Sequence, residues 1–159
     1  MRLEFDTKIT TNILYDYMLH HTYGSLSGLL GSGVGAVFIV VYFSSGNLLH
    51  LAAGIILLLY LPCSLYLSSV KQIKSTPVFQ QPLHYEMTDE GIRVSQGEQS
   101  QLQKWEDIYK AVSTGKSIIV YNTKVNAWIF PRKDMGELTT KVIEMISTHM
   151  KPEKVKIRW

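Results

Sequence analysis

Residues 23–69 read YGSLSGLLGSGVGAVFIVVYFSSGNLLHLAAGIILLLYLPCSLYLSS and contain no Asp, Glu, Lys or Arg. Two apolar runs, Leu26–Phe43 and Leu48–Leu67, are separated only by the polar turn Ser44-Ser45-Gly46-Asn47. A helix of roughly 20 residues crosses about 30 Å of hydrocarbon. Each run is close to that length, so the stretch predicts a transmembrane helical hairpin. The second run is the stronger inserter. Its Leu and Ile residues contribute about −0.3 to −0.6 kcal/mol each near a bilayer centre. Pro62 falls inside it, where a membrane helix tolerates proline.

The flanks set the orientation. The turn carries no charge, whereas Arg2 and Lys8 precede the hairpin and Lys71 and Lys74 follow it. Positive residues remain on the cytosolic side. The expectation is a multi-pass protein of the cytoplasmic membrane with both termini in the cytosol. Mixed and polar residues precede the first apolar run, which is not the pattern of a cleavable signal peptide.

The first run is rich in glycine. Gly24 and Gly28, and Gly31 and Gly35, form small-xxx-small pairs. Such a face lets two helix backbones approach closely. It predicts packing against the second helix at Ala52, Ala53 and Gly54, or contact between copies of the chain.

Outside the hairpin the pattern changes twice. Leu3 and Phe5 alternate with charged neighbours, as in a short strand. Whether that strand joins the later β-structure is open at this level. Ile13, Leu14, Tyr17, Met18 and His21 then recur at helical spacing, with Thr10 or Thr11 as a capping hydroxyl. Residues 1–22 therefore read as a strand and an amphipathic helix, and residues 23–70 as the hairpin. Residues 71–82, with two prolines, read as a linker.

From residue 83 the apolar period is two. Leu83, Tyr85 and Met87 form one strand face, and Asp89-Glu90-Gly91 a turn in which Gly91 supplies a positive φ. Further strands are expected over Ile92–Val94, up to Lys104, and over 109–114, 117–121 and 127–130. Trp105-Glu106-Asp107-Ile108 interrupts them, with Trp105 and Ile108 directed inward. Pro131 stops the last strand. A helix over 135–149 carries the stripe Leu138, Val142, Met145, Ile146 and His149, with cap-box-like spacing of Asp134 and Glu137. Residues 83–151 thus predict a small antiparallel β-domain closed by a C-terminal helix, and 152–159 a tail. The fold class is α+β.

The chain resembles the YcxB-like family of bacterial membrane proteins. The resemblance rests on Tyr17-Met18-Leu19-His20-His21-Thr22-Tyr23, the glycine-rich first helix, Tyr85 to Gly91, Trp105 to Tyr109 and Ile129 to Lys133. It implies a β-domain similar to bacterial pleckstrin-homology folds, and no reaction.

Composition excludes several classes. Net charge is +3, and the charged residues outside the hairpin are mixed in sign, without the basic block of a nucleic-acid binder. Cys63 is the single cysteine, so it forms no internal disulfide and no CxxC metal site. His20 and His21 point in different directions on a helix and make a poor metal pair. No HExxH, GxSxG or phosphate-cradling glycine loop is present. An enzyme is not expected, nor a metal or cofactor. The absence of Asp, Glu, Lys and Arg within the hairpin argues against a proton or ion pump.

The expectation is a membrane-anchored binding or regulatory module that recognises a protein segment or a membrane lipid headgroup. Lys71, Lys74, Arg132 and Lys133 are its candidate contacts. The alternative is an assembly protein that forms homo-oligomers through the glycine-rich helix, or an oligomeric channel.

Overall fold

The computed structural model describes residues 2–158. Its chain forms two long apolar helices and two four-stranded sheets. Strand β1 (Leu3–Thr7) is followed by helices α1 (Thr11–Tyr23), α2 (Leu26–Ser45) and α3 (Leu48–Ser75). Strands β2 (Leu83–Met87), β3 (Gly91–Gln96), β4 (Gln99–Lys104), β5 (Lys110–Ser113), β6 (Ser117–Tyr121) and β7 (Ala127–Pro131) come next. Helices α4 (Arg132–Met135) and α5 (Leu138–His149) and strand β8 (Val155–Lys156) complete the fold.

The hairpin turn is fixed by local chemistry. Gly46 ends α2 at φ 62°, a left-handed conformation that costs glycine nothing, and its amide donates to the Tyr42 carbonyl at 2.8 Å. Asn47 caps α3 by accepting the Leu49 amide at 3.0 Å. Both helices are long and apolar enough to cross a bilayer, and their outer faces are exposed. At about 1.5 Å per residue the 28 residues of α3 extend about 42 Å. That exceeds a hydrocarbon core of about 30 Å by about two turns. The excess is the polar end, so helix replaces the linker expected from residue 71: the chain stays α-helical through Ser75 and then forms a 3₁₀ turn at Pro77–Phe79. Ile73 and Phe79 there pack with Ile9 and Leu14, which holds the segment in place. Pro62 lies within the continuous α3.

The first sheet has the order β1-β2-β3-β4, and β1 pairs antiparallel with β2 through Phe5 opposite Tyr85. The N-terminal strand is therefore part of the β-structure, across the whole hairpin in sequence. The second sheet has the order β7-β6-β5-β8. Its last member lies in the expected tail, and β8 runs parallel to β5 with Val112 opposite Lys156. The signal was the alternation of Val155 and Ile157 with Lys154, Lys156 and Arg158, too short to stand out alone.

An aromatic cluster ties the two sheets together. Phe5 and Tyr85 come from the first sheet, and Phe130 from the second. The Phe130 ring meets Tyr85 at 4.7 Å and Phe5 at 5.3 Å, both edge to face. Burying each such side chain contributes about 1.5–3 kcal/mol. Val142, Met145 and Ile146 of α5 close this core, as the stripe predicted, and Ile143, outside the stripe, joins them. Trp105 and Ile108 are buried while Glu106 and Asp107 face water. The Trp105 indole donates to the Thr88 carbonyl at 2.9 Å and stacks on His149 at 5.1 Å.

Strand β6 is buried at every position. Ile118 and Val120 face the core between the sheets, whereas Ile119 and Tyr121 face α1. Burial on both faces explains its continuous apolar run.

Three local expectations are corrected. Gly91 has no positive φ; it is required because a β-carbon there would lie 2.9 Å from the Gln103 carbonyl carbon on β4. The C-terminal helix is divided at Gly136, at φ 53°, so Asp134 does not cap α5. The Asp134 carboxylate instead accepts the Lys8 amide at 2.9 Å. Thr10 occupies the start of α1 without a side-chain capping bond.

Candidate functional site

α1 lies across the outer face of the second sheet. Leu14, Tyr17 and Met18 form an apolar seam over the β6 and β7 side of that face. The His21 imidazole is 3.1 Å from the Tyr121 hydroxyl, and the rings stack at 5.9 Å. Asp16 accepts the Thr114 hydroxyl at 2.5 Å. Tyr15 meets Tyr66 of α3 edge to face at 5.5 Å. One short helix thus joins the β-domain to the base of the hairpin.

Burial raises the pKa of Tyr17 above the ordinary tyrosine value. It also pushes Tyr121 up to about 12, with the Tyr17 phenol adding to the effect. Both phenols are neutral at physiological pH, and the Tyr121 hydroxyl stays a hydrogen-bond partner for His21.

Beyond the seam the same face turns basic. Lys110 and Val112 share it by the strand period of two, and the pairing of Val112 with Lys156 brings Lys156 and Arg158 alongside. These side chains line a groove of about 850 Å³ with His20, Arg132 and the Ser113-Thr114-Gly115 turn. Among the described residues no carboxylate lines it. Asp16, held on Thr114, is the acid next to its wall.

Three of these residues are held by specific contacts. The Arg132 guanidinium donates to the Arg158 carbonyl at 2.6 Å, and the Arg158 amide donates to the Ser113 hydroxyl at 2.7 Å. The Lys110 ammonium sits 4.6 Å from the Tyr121 ring centroid, within cation–π range. Thr114 also accepts the amides of Lys116 and Ser117, which fixes the turn. Chemically the arrangement offers positive charge and hydrogen-bond donors to an anion.

Of the four cations singled out in the sequence, Arg132 lines this groove. Lys133 is exposed on α4, and Lys71 and Lys74 are exposed on the last turns of α3, all outside it. Lys110, Lys156 and Arg158 were missed because the strand pairing that gathers them is invisible in a linear chain. Among the described residues no group of three or more His, Cys, Asp or Glu side chains is placed to hold a metal.

The glycines divide by role. A β-carbon on Gly28 would strike the Thr22 carbonyl, and one on Gly35 would lie 2.9 Å from Leu58 Cγ and 3.0 Å from the Gly54 carbonyl oxygen. Gly24 caps α1. Gly31 and Gly33 have open space where a side chain would stand.

The model of the YcxB-like protein family matches residues 88–141. That stretch resembles the YcxB-like family. It covers β3 to β7 and the first turn of α5, including Lys110, the Ser113-Thr114-Gly115 turn and Arg132. His20, Lys156 and Arg158 lie outside the YcxB-like match and reach the groove through α1 and β8. No curated protein and no solved structure matches the chain significantly.

Proposed function

We propose that this chain is a membrane-anchored binding module of the cytosolic face. The hairpin of α2 and α3 spans the cytoplasmic membrane, both termini are cytosolic, and the β-domain recognises its partner without catalysis. Two mainly antiparallel sheets closed by a C-terminal helix support a pleckstrin-homology-like reading of that domain. The observation that carries the proposal is the basic groove beside the end of α1, a few residues before the first apolar helix begins. A lipid headgroup is thereby favoured over a protein segment as the partner.

Hydrogen exchange of the full chain in nanodiscs tests this reading. Phosphatidylcholine discs are compared with discs containing anionic lipid. Peptides over 110–116 and 155–158 are expected to exchange more slowly in the anionic discs. Equal exchange in both removes the headgroup form of the proposal.

A specific observation favours a second reading. Gly31 is an uncovered small-residue position on α2, open to the close approach of a second helix that homo-oligomeric assembly requires. Bulky replacements there would dissolve a crosslinked oligomer, whereas an unchanged crosslinking ladder would count against assembly.

A further inference from the structure

We infer that the groove between the end of α1 and the β5–β8 edge is a phosphate site. Lys110, Arg132, Lys156 and Arg158 reach it from three separate elements, and His20 adds a fifth nitrogen donor group. A single carboxylate carries one charge, whereas a phosphomonoester carries about −1.5 to −2 and presents three acceptor oxygens. Four cations around one groove match the second chemistry better. Arginine contributes a planar fork of donors suited to such oxygens. One Nη of Arg132 is spent on the Arg158 carbonyl, which fixes the guanidinium and leaves its other donors for a ligand. The Asp16 carboxylate is occupied by Thr114 and stands outside the lining.

The phosphate can arrive on a lipid or free in solution. The groove lies where α1 hands the chain to α2, with only Gly24 and Ser25 between the two helices. If the hairpin spans, that is headgroup depth. The lipid source therefore rests on the anchoring proposed above, while phosphate recognition itself does not.

Native mass spectrometry of the full chain in non-ionic detergent tests the site. The probes are short-chain phosphatidic acid, short-chain phosphatidylcholine, a poly-glutamate peptide and inorganic phosphate as competitor. Phosphatidic acid is expected to bind about tenfold or more tightly than phosphatidylcholine. Lys156→Gln with Arg158→Gln should abolish that preference at unchanged thermal stability, and Lys71→Gln with Lys74→Gln should retain it. Displacement by inorganic phosphate assigns a free phosphate, and its absence assigns the lipid. Equal binding of the two lipids with no phosphate competition overturns the inference, as does poly-glutamate binding as tightly as phosphatidic acid. A separate alkaline extraction of membranes reports on anchoring, so its failure is distinguishable from failure of the site.

Discussion

Gly35 and Gly54 face each other where α2 and α3 cross. A β-carbon on Gly54 would lie 2.8 Å from the Gly35 carbonyl oxygen, and one on Gly35 would lie 3.0 Å from that of Gly54. The backbones touch because neither residue has a side chain. Leu in place of either is expected to cost about 1–3 kcal/mol of hairpin stability through overpacking. Leu at Gly31 or Gly33, which meet nothing, should cost little within one chain. Unfolding of the four variants by SDS titration in mixed micelles checks the contrast.

Gly91 obeys the same steric rule in the sheet. Its absent β-carbon makes room for Gln103 and Lys104, each with a backbone atom 2.9 Å from that position. Gly91→Ala should separate β3 from β4 and cost about 1–3 kcal/mol. Urea unfolding of the full chain in detergent should show the loss, with Gly115→Ala, at an open position, as the neutral control.

Trp105 tests the bend between the sheets. Trp105→Phe keeps a ring against His149 but removes the donor to the Thr88 carbonyl. The expected loss is about 1–3 kcal/mol, the cost of an unmade buried hydrogen bond. Trp105→Ala adds a cavity and should cost about 3–5 kcal/mol. The same urea titration ranks the two.

Tyr121 gives the fold an alkaline limit. Its ionisation moves from 10.0 to about 12 on folding. The folded state thus holds the proton where the unfolded state has lost it. The stability that this retention represents is complete below pH 10.0 and falls as pH rises towards about 12. Tyrosinate absorbance should show a late-titrating group that Tyr121→Phe removes, and the variant should lose less stability than the parent across that window.

Much of this fold is legible in the chain because each signal is local. The charge-free stretch marks α2 and α3, the period of two marks β2 and β3, and Gly46 marks the turn between the apolar helices. Two kinds of feature escape. The first is pairing over long sequence separation: Phe5 meets Tyr85 across the hairpin, and Val112 meets Lys156 across α5. The second is coverage of a sheet face by α1, which makes β6 buried on both sides and gathers the basic residues on what remains open. Of the groove, Arg132 alone was singled out in advance, since its neighbours Lys156 and Arg158 arrive through β8. Gly91 shows a subtler limit: its need is visible in the sequence, but close approach rather than a positive φ is the cause.

The central claim is that the α2–α3 hairpin spans a membrane and leaves its turn and its β-domain on opposite sides. Cysteine accessibility in cells expressing the full chain tests it most directly. With Cys63→Ser as background, single cysteines replace the exposed residues Ser44 at the end of α2 and Ser147 on α5. A membrane-impermeant maleimide is then applied before and after permeabilisation. The account predicts that position 44 labels in intact cells and position 147 only after permeabilisation. Labelling of both positions from the same side would contradict it.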